Sequence, residues 1–148
     1  MTLKNLVQSN HSPINKYELD VAGLPKLIFT KAGGVEQETG KTTLPDKTSA
    51  SGGEQEPFEI ECELPLHHAA EVAAIETWYK QGKHPVQEGY KKDCTMVYKR
   101  IDDSIAKTLA YIGTWVSKLK YPDADMSNAD GEMAVLTVTL TCDDYDIL

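Results

Sequence analysis

The sequence contains no run approaching the roughly 20 apolar residues needed to cross a bilayer. Residues 1–10 hold one lysine and no apolar stretch long enough for a secretion signal. Both absences lead to the expectation of a protein that accumulates in a cytoplasm and does not engage a membrane. Cysteine is scarce: Cys62, Cys94 and Cys142 are the three among 148 residues. They are far apart and form no C-x-x-C pair, which excludes a disulfide framework and the usual zinc and redox spacings. The expected role is that of buried thiols acting as small hydrophobes. Bridges between subunits of a particle, once it meets an oxidising medium, stay open as a second possibility. Positive charge is in deficit as well, with 15 Lys and Arg against 23 Asp and Glu, a formal net charge of -8. Phosphate binding rests on basic side chains displacing counterions, so this balance argues against wrapping nucleic acid. It fits a surface past which nucleic acid slides, and equally a charge that only maintains solubility.

Recognisable chemistry is missing too. Gly33-Gly34 and Gly52-Gly53 lack the following lysine and the strand-to-helix setting of a phosphate loop. His67 and His68 are adjacent, so on a helix they diverge by about 100° and cannot jointly hold one metal. Asp102-Asp103 and Asp143-Asp144 have no glycine-centred calcium loop around them and read as turn and end residues. No serine or cysteine stands in a nucleophile motif. The sequence therefore leads to a non-enzymatic protein with no metal and no cofactor.

What is present is an ordinary globular balance, 41% hydrophobic and 26% charged, in a length that suits one domain. Residues 1–16 are polar and aperiodic and read as an N-terminal arm that orders against a neighbour. Residues 17–21 alternate apolar and acidic, Gly23 and Pro25 supply a turn, and residues 27–30 form a second strand, so the opening is expected to be a hairpin. Residues 40–56 hold Gly, Ser, Thr and Pro with hardly an apolar side chain besides Leu44. A loop of that length in a small domain is either disordered or functional. Residues 58–64 have the clearest period in the chain. Phe58, Ile60, Cys62 and Leu64 share one face, and Glu59, Glu61 and Glu63 share the other, which water must bathe.

Pro65 ends that strand, and an alanine-rich helix is expected over residues 67–80, closed by Gly82 and Pro85. Its expected stripes are Ala69-Val72-Ala73-Glu76-Tyr79 and Ala70-Ala74-Thr77-Trp78. The remainder reads as β: residues 94–101, a turn at Asp102-Asp103-Ser104, and a long strand over 106–119. In that strand Leu109, Tyr111, Trp115 and Leu119 share a parity, and Gly113 marks a bulge or bend. A loop through Asn128-Ala129-Asp130-Gly131 leads to a last strand over 133–142. The fold class is α+β, a mostly antiparallel β-sandwich or barrel with one flanking helix.

The order of these elements resembles the tail tube proteins of contractile bacteriophages, which are similar in fold to the type VI secretion tube protein. The likeness rests on four stretches: residues 17–24 (YELDVAGL) with 27–35 (LIFTKAGGV); residues 58–64 after a long loop; Trp78 on the single helix; and residues 110–120, Tyr121-Pro122 and 127–140. Pro65 and His67-His68 depart from the family pattern. The resemblance implies a tail-tube-like domain over residues 17–148 in a structural subunit of hexameric rings, stacked into a tube around a lumen through which DNA is delivered. It implies a tail sheath, a baseplate and a terminator as partners, no specific DNA binding, assembly in a host cytoplasm and residence in a virion tail. It also implies that the loop over 40–56 reaches an adjacent ring, with Thr42, Thr43, Leu44, Pro45, Asp46 and Lys47 at its centre. Glu59, Glu61 and Glu63 are the candidates to face the lumen, an outer face beneath the sheath being the alternative. A tube subunit of a secretion or extracellular injection system is the nearest rival. A monomeric β-barrel module enclosing a small ligand is the rival of another class, and the glutamate and threonine faces fit it poorly.

Overall fold

The computed structural model describes residues 10–84, 89–127 and 131–148. Nine strands and one helix follow one another along the described chain. They are β1 (Tyr17–Val21), β2 (Lys31–Ala32), β3 (Thr39–Thr43), β4 (Ser49–Gln55), β5 (Phe58–Pro65), α1 (Ala69–Lys83), β6 (Lys92–Lys99), β7 (Ile105–Lys120), β8 (Val135–Cys142) and β9 (Asp144–Ile147). Seven of the strands join in the order β1-β6-β7-β8-β5-β2 with β9 also on β7, and β3 and β4 form a separate pair. Every pairing is antiparallel. The fold is therefore α+β, mostly antiparallel, with one helix.

β7 organises the sheet because it takes different partners along its 16 residues. Its first half lies between β6 and β9, with Met96 opposite Leu109 and Tyr145 opposite Tyr111. Its second half pairs with β8, where Trp115 faces Thr141 and Val116 faces Leu140. The change falls at Gly113, whose φ of +65° lies in the left-handed region. A Cβ there would collide with the Asp143 side chain, so glycine is required on both counts. Asp143 stands between β8 and β9, its amide bonded to the Ile112 carbonyl and its carboxylate to Lys91 Nζ at 2.7 Å. The bend flips the alternation. Leu109 and Tyr111 point inward before it, Thr114 and Val116 after it. The expected parity therefore fails at Trp115, which lies opposite Thr141, and returns at Leu119, opposite the buried Val138, after a second register shift between Val116 and Lys118.

The two halves close on one core. Leu19, Val21, Cys94, Met96 and Tyr111 come from the β1-β6-β7-β9 half. Phe58, Ile60, Cys62, Leu64, Val116, Leu136, Val138, Leu140 and Cys142 come from the other. The helix adds Val72, Ile75 and Trp78, a stripe running between the two expected from the sequence and centred on Ile75. Gly82 lies inside the last turn rather than beyond it, close to the Trp115 ring and the Val116 carbonyl. Pro85 lies outside the described residues, as do residues 1–9 of the expected arm and Asn128 to Asp130 of the expected loop.

Three local expectations are corrected. The opening hairpin does not form: β1 pairs with β6, and residues 27–30 pass to the other half, ending in β2 against β5. Leu27 and Phe29 are buried in that crossing, and the Ile28 amide is taken by the Glu71 side chain, so the core draws the segment away from β1. Residues 40–56 are not a structureless loop but mostly the β3–β4 hairpin. The chain also continues past Cys142 into β9, where the sequence offered only end residues.

Tyr111 is 1% exposed, yet its hydroxyl finds no hydrogen-bond partner among the described residues. Burial pushes its ionisation upward. An orphaned buried hydroxyl costs about 1–3 kcal/mol. Tyr111→Phe should therefore raise stability, by about 1 kcal/mol in urea unfolding. A loss of the same size would mean the hydroxyl is satisfied after all.

Candidate functional site

The outward surface of the β2-β5-β8-β7 half carries the polar residues that the sequence singled out. On β5, Phe58, Ile60, Cys62 and Leu64 are buried, while Glu59 and Glu61 are exposed and Glu63 half-exposed. Residues paired directly across a ladder share a face, which extends the surface strand by strand. Glu59 lies opposite Thr141, Glu61 opposite Thr139 and Glu63 opposite Thr137. Beyond the threonines, Lys118 pairs with Thr139 and Lys120 with Thr137. On the far side of β5, Lys31 pairs with Glu63. The face therefore reads as a glutamate column, a threonine column and, on β7, Trp115 followed by Lys118 and Lys120. The hydroxyls are bonded along it: Thr141 donates to Ser117 Oγ at 2.8 Å, and Ser117 donates to the Thr139 carbonyl at 3.2 Å.

With strands about 4.8 Å apart, glutamate and lysine columns two strands apart are separated by roughly 10 Å. None of the ion pairs among the described residues involves Glu59, Glu61, Glu63, Lys31, Lys118 or Lys120. An open groove of about 580 Å³ lies between Glu59 and Glu61 on one side and Lys118 on the other, floored by Ser117 and Thr139. The purely acidic row expected from the sequence is thus one stripe of a charge-balanced surface. Sequence reasoning missed the lysines, because only the long-range register shows that they share this face.

The β3–β4 hairpin is the second exposed feature. Every β3 residue is exposed, and on β4 only Ala50 is half-covered. Thr42 and Thr43 pair with Ala50 and Ser49. Leu44, Pro45, Asp46 and Lys47 make the turn: the Lys47 amide bonds the Leu44 carbonyl at 2.9 Å, and Asp46 accepts from the Thr48 amide at 3.0 Å. Those bonds to Thr48 hold the Asp46 carboxyl below its ordinary range. Lys47 sits at φ +68°, the left-handed residue of a three-residue hairpin connection. Between the hairpin base and β9 lies an open groove lined by Gln37, Thr39, Gln55 and residues 144–147. β1, β2 and β9 each pair on one side only, which leaves their outer edges unpaired among the described residues.

All three thiols lie inside the fold, Cys94 and Cys142 beside the Thr114 hydroxyl and Cys62 further along the β5–β8 ladder. Cys62, Cys94 and Cys142 are at most 1% exposed, and the buried Thr114 hydroxyl donates to Cys142 Sγ at 3.3 Å. A position this deep leaves no route to a neighbouring subunit without opening the core, so a bridge between subunits is not what the fold prepares. Burial pushes the Cys62 and Cys94 thiols from 9.0 up to about 12. In the unfolded chain they ionise near pH 9, whereas in the folded one they keep their protons to about pH 12. Between those values the unfolded state binds fewer protons, so stability is full below pH 9 and falls as pH rises. The limiting slope is about 1.4 kcal/mol per pH unit for each thiol. Thermal unfolding in reducing buffer should show the midpoint dropping above pH 9, with a shallower drop in Cys94→Ala. An unchanged slope in that variant would count against the account.

His67 and His68 precede α1 with their rings edge to face at 4.5 Å, and His68 Nδ1 lies 3.5 Å from Glu71. No group of three or more His, Cys, Asp or Glu among the described residues gathers to hold a metal. Among those residues, no helix is long and apolar enough to cross a membrane.

This is the fold of chains found in contractile injection systems. The chain superposes on one from the tube-terminating cap of the anti-feeding prophage with a TM-score of 0.73 at 16% identity, covering 95% of this chain and 93% of that one. On a chain of the extended sheath–tube complex of the extracellular contractile injection system PVC it gives 0.71 at 15% identity, covering 100% and 98%. Hcp1 from Flavobacterium johnsoniae gives 0.54 at 14% identity, covering 89% and 94%. At these identities the likeness establishes the fold. The resemblance to tail tube proteins read from the sequence thus holds in three dimensions. No protein-family model and no curated protein matches the sequence.

Proposed function

We propose that this chain is a structural subunit of the inner tube of a contractile machine, assembling with copies of itself into hexameric rings that stack around a lumen. The observation that carries this reading is the full-length agreement of fold with chains from a tube cap and a sheath–tube complex. The physics of the sheet supports it. Edges left unpaired on β1, β2 and β9 among the described residues invite further strands, and closure around an axis satisfies such edges in one step. A projecting hairpin with no core of its own gains order by lying on a neighbour. In this reading residues 40–56 reach the adjacent ring, residues 1–16 reinforce that contact, and the face of Glu59, Glu61 and Glu63 lines the lumen. A sheath, a baseplate and a terminator are the partners that the solved relatives imply, and the role is structural rather than enzymatic.

Of the two machine types, the injection-system reading is favoured by the solved relatives, which include an anti-feeding prophage chain and a PVC chain. A phage tail delivering DNA, in a virion assembled in a host cytoplasm, is the reading that the sequence resemblance first gave. The cargo separates them: rings co-purifying with nucleic acid favour the phage, and rings holding protein favour the injection system. The test of the shared proposal is direct. Purified protein viewed by negative-stain microscopy should show annular particles or tubes, and sedimentation should show mass above the monomer. A compact monomer at high concentration would overturn it and favour the rival reading of a ligand-binding module.

A further inference from the structure

The glutamate and lysine columns stand on one face, two strands apart, with no ion pair to either among the described residues. We infer that they join copies of this chain edge to edge, Lys118 and Lys120 of one copy meeting Glu59 and Glu61 of the next. The inference rests on the ring reading and names the contact that would hold a ring together laterally.

A head-to-tail interface needs two different patches on every subunit, complementary to each other and displaced sideways. The two columns meet that requirement, being opposite in charge and two strands apart. Both flanks are open to a neighbour. Outside the glutamates runs Gly33-Gly34, whose Gly33 amide bonds the Glu61 carbonyl at 2.8 Å, and a Cβ on Gly34 would meet nothing within 4 Å. That strip carries no side chain to keep a long lysine from Glu61. On the other flank, the β6 ladder ends at the Lys92–Thr114 pair, and the last turn of α1 lies over Trp115 and Val116. Lys118 and Lys120 stand further along β7 and are exposed. A second copy placed beside the first would set a lysine stem over the bare glycines with its ammonium at the carboxylates. Repetition places positive against negative at every seam, and like charges meet only if the register is wrong, which fixes orientation as well as attraction.

The test uses full-length chains carrying Glu59→Lys with Glu61→Lys, or Lys118→Glu with Lys120→Glu. All four side chains are exposed, so each variant should keep the wild-type circular dichroism and melting temperature. Each alone should need at least about ten times the wild-type concentration to assemble, since every seam then sets like charges together. An equimolar mixture should assemble again, because alternating copies restore every seam. Wild-type assembly should also weaken as salt rises from about 0.05 to 0.5 M, which shortens the reach of charge. The inference fails if either variant assembles alone as the wild type does, if the mixture stays dissociated, or if the product is a closed dimer joined face to face. A wild type that never self-associates would instead bring down the ring reading itself, and this contact with it.

Discussion

A chain in which Asn-Gly replaces residues 40–54 should fold normally and fail to build tubes. Thr39 and Gln55 are direct cross-strand partners, so a two-residue turn closes the gap without strain. The removed residues bury almost nothing against the main sheet, since all but Ala50 are exposed. The melting temperature should therefore stay within a few degrees of wild type, as surface changes away from special features shift stability by about 0.5 kcal/mol or less. Polymerisation should be lost altogether in microscopy, with free rings or monomers remaining. Normal tubes from the shortened chain would refute a role for the hairpin between rings. Free rings would place its contribution along the axis, and monomers would place it within the ring as well.

Trp78→Ala should have the largest effect on stability of any single change in the helix. The indole is 1% exposed, and its Nε1 donates to the Tyr90 carbonyl at 2.6 Å. Truncation opens a cavity worth about 3–5 kcal/mol and strands that carbonyl. Domains of this size are stable by roughly 5–15 kcal/mol in all, so the variant should be close to unfolded at 37 °C. Trp78→Phe keeps an aromatic body without the N–H and should lose less, about 1–3 kcal/mol. Urea titration of the two variants checks both figures. A loss below about 1 kcal/mol for the alanine variant would mean that the helix is not anchored through this ring.

How much of this was legible depended on the range of the interaction. β5 was readable because its period of two is local: each glutamate has an apolar neighbour on either side, and either one alone demands opposite faces. The β8 alternation of Leu136, Val138 and Leu140 with Thr137 and Thr139 was readable for the same reason. Gly113 was legible as an irregularity, but not as a change of face, because its conformation answers to Asp143, thirty residues away. That is why Trp115 was grouped with Tyr111 although it points to the other side. The opening hairpin failed for a related reason. Nothing near Pro25 says that the Ile28 amide will bond a glutamate on the helix. β3 and β4 were hidden because glycine interrupts both and neither alternates apolar with polar; the threonines of β3 favour a strand, but only the turn at Pro45-Asp46 announces the pairing. The three thiols were rightly read as small and buried, yet the sharing of Thr114 by Cys94 and Cys142 could be known only from the sheet.

Because the backbone of β7, and that of β8 running on into β9, belongs to both halves of the sheet, neither half owns a complete set of ladders. Melting one would strip hydrogen bonds from strands that the other needs intact. Cooperativity is therefore built into the connectivity: ellipticity from the strands and fluorescence from Trp78 and Trp115 should report one coincident, all-or-none transition. Two separated transitions would mean that the shared strands can part at the Gly113 bend.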